Sequence, residues 1–245
     1  MFLKDEMMPI NGRELIEKKK PNILNRQKLH NKAEKAIFRN NMYKFLTEAW
    51  GEKPTVSLIQ QVRDRQFRLT LMRLGMILDP QIRFEAEKDL CWKLKKEYAR
   101  LFLGQKPPLV PREPDYYSPG GIKKETDKIK ALLLKYGDIG SSKSDDLENY
   151  IGFELKLMQK LTEKEKDAWQ KDDPELVKTW LEYERKFILE YFGLWVPKFC
   201  DRVFQQSSNF FYQQLAAVTK KFIAEEQQRL KNFMGLLIII GKHFL

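Results

Sequence analysis

Five of the chain's 11 prolines, Pro107, Pro108, Pro111, Pro114 and Pro119, fall in the single stretch GQKPPLVPREPDYYSPGG, residues 104 to 121. Proline fixes φ and removes a backbone donor, so neither a helix nor a central strand runs through that density. Elsewhere helix breakers are sparse, with only 12 Gly among 245 residues, 32% of which are charged and 42% hydrophobic. A chain of that composition is expected to be all-α, a single helical bundle domain over residues 31–232 with an ordered Pro-rich loop. Connections beyond about 12–15 residues are usually functional or disordered. Leu109, Val110, Tyr116 and Tyr117 favour a packed loop here, forming a seam near 104–121 between N- and C-terminal helical groups. A second boundary, the Gly/Ser/Asp linker near 137–145, would let helices exchange between copies, so a monomer or a domain-swapped dimer is expected.

The apolar spacing divides the rest of the chain. Residues 1–30 lack a sustained 3.6 period and read as an N-terminal extension. A helix is expected over Lys32 to Trp50, ended by Gly51, and a second over Val56 to Leu78. Asp79 caps a third at Pro80, whose stripe is Leu90, Leu94, Tyr98, Leu101 and Phe102. Beyond the Pro-rich segment a helix runs from Gly121 to Tyr136. The next opens on a capping box of Asp145 and Glu148, with the stripe Leu147, Ile151, Glu154, Met158 and Leu161. Asp173 and Pro174 start another, and Pro197 is expected to open the longest, reaching Leu230. The apolar tail 233–245 (FMGLLIIIGKHFL) is too short for the roughly 20 residues of a membrane span, so no stable membrane insertion is expected. Its two glycines suit an irregular segment docked on the core.

Several function classes are excluded or disfavoured. The two cysteines, Cys91 and Cys200, are far apart and fit a reducing compartment rather than a metal site or disulfide framework. The two histidines, His30 and His243, lie near opposite ends, which leaves no imidazole for a central triad. Phosphate-binding and metalloprotease signatures are absent. The N-terminus carries charges from residue 4 and has no apolar signal region, which fits a cytoplasmic protein. A net charge of +11 invites a basic helical nucleic-acid-binding or regulatory module as the alternative function. Bases alternate with acids along the whole chain, as in KLTEKEKDAWQKDD, and do not form a phosphate track, so no nucleic-acid partner is expected.

Glu154 is the most informative single residue. A carboxylate among Leu147, Ile151, Met158 and Leu161 must be paired or face a ligand, and the sequence leaves both open. Asp145, Asp146, Glu148 and Asn149 make the start of its helix acidic within a basic protein.

Three stretches, YARLFLGQKPPLVPREPDYY, NYIGFELKLMQKL and the region from LEYERKF to FIAEE, together resemble the cytoplasmic redox-enzyme maturation chaperones typified by TorD and DmsD, with NarJ more distant. NNMYKFLTEAWGEKP is similar to that family's first helix, so the resemblance spans residues 38–226. It implies a helical, non-enzymatic chaperone without cofactors. The implied partner is the twin-arginine signal peptide or precursor of a molybdenum-cofactor oxidoreductase, held for cofactor insertion before export. Carried over by motif, the implied signal-peptide-binding residues are Glu113, Tyr116, Asn149, Tyr150, Glu154, Trp195 and Pro197, supported by Asp145, Asp146 and Glu148. Where the family has Asp-His this chain has Asn149 and Tyr150. Tyr150 can hydrogen-bond and stack but cannot change charge near neutral pH.

Overall fold

The computed structural model describes residues 21–103, 106–112 and 150–241. Among them every regular element is a helix, and one isolated bridge joins Arg112 and Tyr150. The elements are α1 (Pro21–Gly51), α2 (Val56–Arg63), α3 (Arg65–Arg73), α4 (Pro80–Phe84), α5 (Glu87–Phe102), α6 (Ile151–Gln170), α7 (Pro174–Phe187), a π-helical turn (Ile188–Phe192), α8 (Gly193–Gln206) and α9 (Phe210–Gly241). The all-α expectation holds. The helix expected from Gly121, the capping box at Asp145 and the 137–145 linker lie outside the described residues.

Local chemistry sets most of the boundaries. Thr55, Asp79 and Asp173 each accept a hydrogen bond from the backbone N–H three residues on, at 3.2, 2.8 and 3.0 Å. Proline follows the last two at the first helical position, where its missing N–H costs nothing. α1 begins at Pro21 rather than Lys32, so residues 21–30 belong to a helix and not to a loose arm. The helix expected over Val56 to Leu78 is broken at Asp64, whose backbone turns extended (ψ 134°) and whose carboxylate caps α3 through the Phe67 N–H at 2.8 Å.

The last two helices differ most from expectation. Pro197 does not open a helix; it sits inside α8. Lacking an N–H, Pro197 cannot bond the carbonyl of Gly193 four residues back. The Gln227 side-chain amide of α9 donates to that carbonyl instead, at 3.2 Å. Gly193 leaves room for it, because a Cβ there would lie 2.5 Å from Gln227 Nε2. The preceding turn is π-wound, with the Gly193 N–H donating to the Ile188 carbonyl. The expected continuous helix to Leu230 is divided at Ser207–Asn209, where Asn209 Oδ1 accepts from the Phe211 N–H at 3.0 Å and starts α9. α9 then continues helically through Gly241, whereas an irregular docked segment was expected beyond residue 232.

α1 packs along α6, α6 on α7, and α8 on α9. The α1–α6 crossing is close because Gly51 and Gly152 meet: a Cβ on Gly152 would lie 2.5 Å from the Gly51 Cα. One hydrophobic core spans both sides of the Pro-rich segment. At its centre Trp50 of α1 meets Phe199 of α8 edge-on at 5.1 Å and Phe102 of α5 at 6.2 Å, and Phe102 reaches Tyr212 of α9 at 6.4 Å. Edge-to-face aromatic pairs add about 0.5–1.5 kcal/mol each beyond their area burial.

Two polar networks fasten this core. Arg39 of α1 is buried between Glu165 of α6, which it contacts directly, and Glu184 of α7 at 2.7 Å. Arg229 of α9 joins Glu184 at 2.8 Å and Glu226 at 2.8 Å, and the Tyr43 hydroxyl donates to Glu226 at 3.2 Å. Burial pushes the Glu226 carboxyl up, but Arg229 and Arg39 outweigh it and hold it below the usual carboxylate range. In the second network Glu97 of α5 accepts from Arg100 at 2.7 and 2.8 Å, from the Ser207 hydroxyl at 2.8 Å and from the Ser208 N–H at 2.9 Å. It ties the end of α5 to the α8–α9 turn.

Candidate functional site

The described part of the Pro-rich segment is ordered, as expected. The Leu109 N–H donates to the Leu101 carbonyl at 3.1 Å, which folds the segment back along the end of α5 with Leu109 and Pro111 buried. The Pro111 carbonyl then accepts from the Ile151 N–H at 3.0 Å, and Arg112 bridges to Tyr150. The segment therefore occupies one of the four N–H groups that a helix start leaves unpaired. Tyr150, the residue preceding α6, offers no side-chain cap, so the backbone of the Pro-rich segment takes over that role.

The Tyr150 side chain is half-buried and points at α5 and α1. Its hydroxyl lies 2.8 Å from the Tyr98 hydroxyl, and both lie 3.5 Å from the Trp50 carbonyl. Two phenolic protons serve two gaps, one between the hydroxyls and one to the carbonyl. Burial raises both phenols above their ordinary pKa, so the pair stays protonated and uncharged across the physiological range.

One turn along α6, Glu154 is 2% exposed and its Oε2 accepts from the Trp195 indole N–H at 3.0 Å. Trp195 is fully buried and stacks edge-on to Phe192 and Phe199. The alternative left open for Glu154 thus finds a partner in the interior. Pro197 is half-buried two residues beyond Trp195 on the same helix. Of the sequence-derived site residues, the structure brings Tyr150, Glu154 and Trp195 together, with Pro197 shaping the helix that carries Trp195. Glu113, Tyr116, Asp145, Asp146, Glu148 and Asn149 lie outside the described residues. Glu113 directly follows the bridge residue Arg112, and Asp145, Asp146 and Glu148 stand five, four and two residues before Tyr150 in the sequence.

Sequence reasoning missed Tyr98 as the partner of Tyr150, because a tyrosine at a core spacing reads as packing alone. It also missed the Arg39 and Glu97 networks. A signal existed for Glu97, which stands three residues before Arg100, but its Ser207–Ser208 partners are 110 residues away.

The described residues hold no group of three or more His, Cys, Asp or Glu placed to bind a metal. Burial pushes the Cys200 thiol far above its ordinary pKa, so it is not a thiolate nucleophile near neutrality. No described helix is long and apolar enough to cross a membrane.

The sequence profile of the nitrate reductase delta subunit family matches residues 72–201, just over half of the chain, and the chain belongs to that family. It is a family of molybdoenzyme maturation chaperones, so the resemblance holds at that level, through its NarJ-type side rather than through TorD or DmsD in particular. No curated protein matches the chain.

Proposed function

We propose that this protein is a non-enzymatic cytoplasmic chaperone. It binds the twin-arginine signal peptide or precursor of a molybdenum-cofactor oxidoreductase and holds it for cofactor insertion before export. The observation that carries the reading is the Pro-rich segment held against the start of α6, within the stretch that matches the family. A stretch of apolar residues, Pro107 to Pro111, between Lys106 and Arg112 and beside an aromatic pair offers a peptide apolar contacts.

Within this proposal the site residues divide their roles. Glu154 and Trp195 are bonded to each other in the interior and act as positioning residues that set the angle of α6 below Tyr150. Pairing with guanidinium groups of the peptide then falls to Glu113, Asp145, Asp146 and Glu148, with Tyr116 and Asn149 supplying hydrogen bonds and Tyr150, whose hydroxyl is taken by Tyr98, supplying only its ring face. The overall charge of +11 opposes long-range attraction of a basic peptide. Affinity therefore comes mainly from the apolar stretch of the peptide, and the acids set its register. Titration calorimetry with a twin-arginine signal peptide and a scrambled peptide of equal charge tests the reading. Selective binding of the first is the expected outcome, and equal binding of both, or of neither, refutes it.

A further inference from the structure

α7, the π-helical turn and α8 form one unbroken run from Pro174 to Gln206, so the turn between the two helices decides which way α8 faces. A π turn holds one residue more than an α turn, and one residue is about 100° of rotation about the axis. The extra residue sets the direction of Trp195, whose indole N–H reaches Glu154 of α6 at 3.0 Å. Phe192, the last residue of the π turn, packs edge-on against Trp195 at 6.1 Å, and Phe199 does so from the following turn at 6.0 Å.

The α8 turn that carries Trp195 cannot close itself. Its closing bond would run from residue 197 to the carbonyl of the buried Gly193, and Pro197 has no N–H to give. A backbone carbonyl left without a donor in the interior costs about as much as a lost hydrogen bond. The donor comes from α9, where the Gln227 side-chain amide reaches that carbonyl at 3.2 Å. Gln227 stands between Ile223 and Leu230 on one face of α9, both fully buried, so it is a polar side chain set in an apolar stripe. Gly193 admits the amide: a Cβ there would lie 2.5 Å from Gln227 Nε2 and 2.4 Å from the Ile188 carbonyl oxygen. This part of α9 is itself anchored, since Glu226 accepts from Tyr43 of α1 and Arg229 donates to Glu184 of α7.

We propose that Gln227 is a positioning residue for the signal-peptide site, which closes the first turn of α8 and so holds Trp195 on Glu154. The proposal rests on the peptide-binding reading above. Without the amide the turn opens, Trp195 spends part of its time away from Glu154, and the fraction of chains competent for the peptide falls.

The test uses the full chain and two readouts, the indole N–H resonance of Trp195, assigned with Trp195→Phe, and calorimetric titration with a twin-arginine signal peptide. Gln227→Met keeps the side-chain length and removes the donor. It should move the Trp195 resonance and weaken the peptide about fivefold, in a chain still folded by circular dichroism. Gln227→Asn, one methylene too short to reach the carbonyl, should do the same and serves where the methionine variant does not fold. In a Pro197→Ala background residue 197 regains its N–H, so adding Gln227→Met should change neither readout relative to Pro197→Ala alone. A folded Gln227→Met whose Trp195 resonance stays in place overturns the proposal. An equal loss of peptide affinity in both backgrounds also overturns it, because Gln227 would then act by packing alone. A parent chain that does not prefer the signal peptide over its scrambled form refutes the peptide-binding reading instead, and the indole resonances then decide by themselves whether Gln227 holds Trp195 on Glu154.

Discussion

Replacing Glu97 with glutamine removes a carboxylate held far below its ordinary pKa. Its burial alone would raise its pKa. The Arg100 guanidinium, the Ser207 hydroxyl and the Ser208 N–H outweigh that and hold it at about 2, against an ordinary 4.5. The carboxylate is 7% exposed, but its Arg100 partner is 44% exposed, so solvent screens part of the interaction. At 1.36 kcal/mol per pKa unit, the gap between 4.5 and about 2 sets a ceiling of about 3 kcal/mol, which screening at the exposed guanidinium lowers to about 2 kcal/mol of folding stability carried by the ionised form. Because the folded value is the depressed one, this contribution is fully present above pH 4.5 and is lost as pH falls through about 2. Glu97→Gln keeps an acceptor for the Ser208 N–H but turns an amide donor toward the Arg100 guanidinium. Urea unfolding of the two proteins side by side should show a difference of about 2 kcal/mol at pH 7, shrinking steadily below pH 4.5. A difference under about 1 kcal/mol at pH 7, or one that stays constant down to pH 2.5, would refute the account of this network.

Three further outcomes follow from the packing and the proposed site. Arg39→Met leaves the buried Glu165 without a cation and Glu184 with Arg229 alone, and should cost about 3–5 kcal/mol in urea unfolding; Arg39→Lys should recover only part, since one ammonium cannot reproduce the fork that spans two carboxylates. Gly152→Ala drives a methyl into the Gly51 Cα and should cost about 1–3 kcal/mol, read as a lowered thermal midpoint. In peptide titrations, polar replacement of the signal peptide's apolar stretch should reduce affinity more than replacement of both arginines, and the reverse order would show that the acids and not the apolar contacts carry binding.

Helices bounded by a local device were legible. Asp79–Pro80 and Asp173–Pro174 announce their helix starts within two residues, and the structure starts both there. The single helix expected from Pro80 through Phe102 is nonetheless divided at Glu85–Ala86, where the backbone turns extended, into α4 and α5. Breaks that rest on one side chain were not. Asp64 sits in an unbroken apolar period and shows as a boundary only because its carboxylate caps the next helix. Pro197 misled for a physical reason: proline at a first helical turn is the common case. Here the missing donor is replaced by Gln227, 30 residues further on and invisible to local reading. The same holds at the site. Glu154 was conspicuous as an acid in an apolar stripe, yet its partner Trp195 lies 41 residues away. The motif resemblance placed both residues in one site without a contact between them. The Arg39 network had no local signature, since each member looks like a charge on a solvated helix face until α1, α6, α7 and α9 come together.

The central claim is that the start of α6 and the Pro-rich segment form a peptide-binding site whose geometry depends on Glu154. Calorimetric titration of the full chain and of Glu154→Gln with one twin-arginine signal peptide tests it most directly. The account predicts selective binding by the parent chain and weaker binding by a variant that remains folded by circular dichroism. Undiminished affinity in the folded variant, or no preference over the scrambled peptide in the parent, would contradict it.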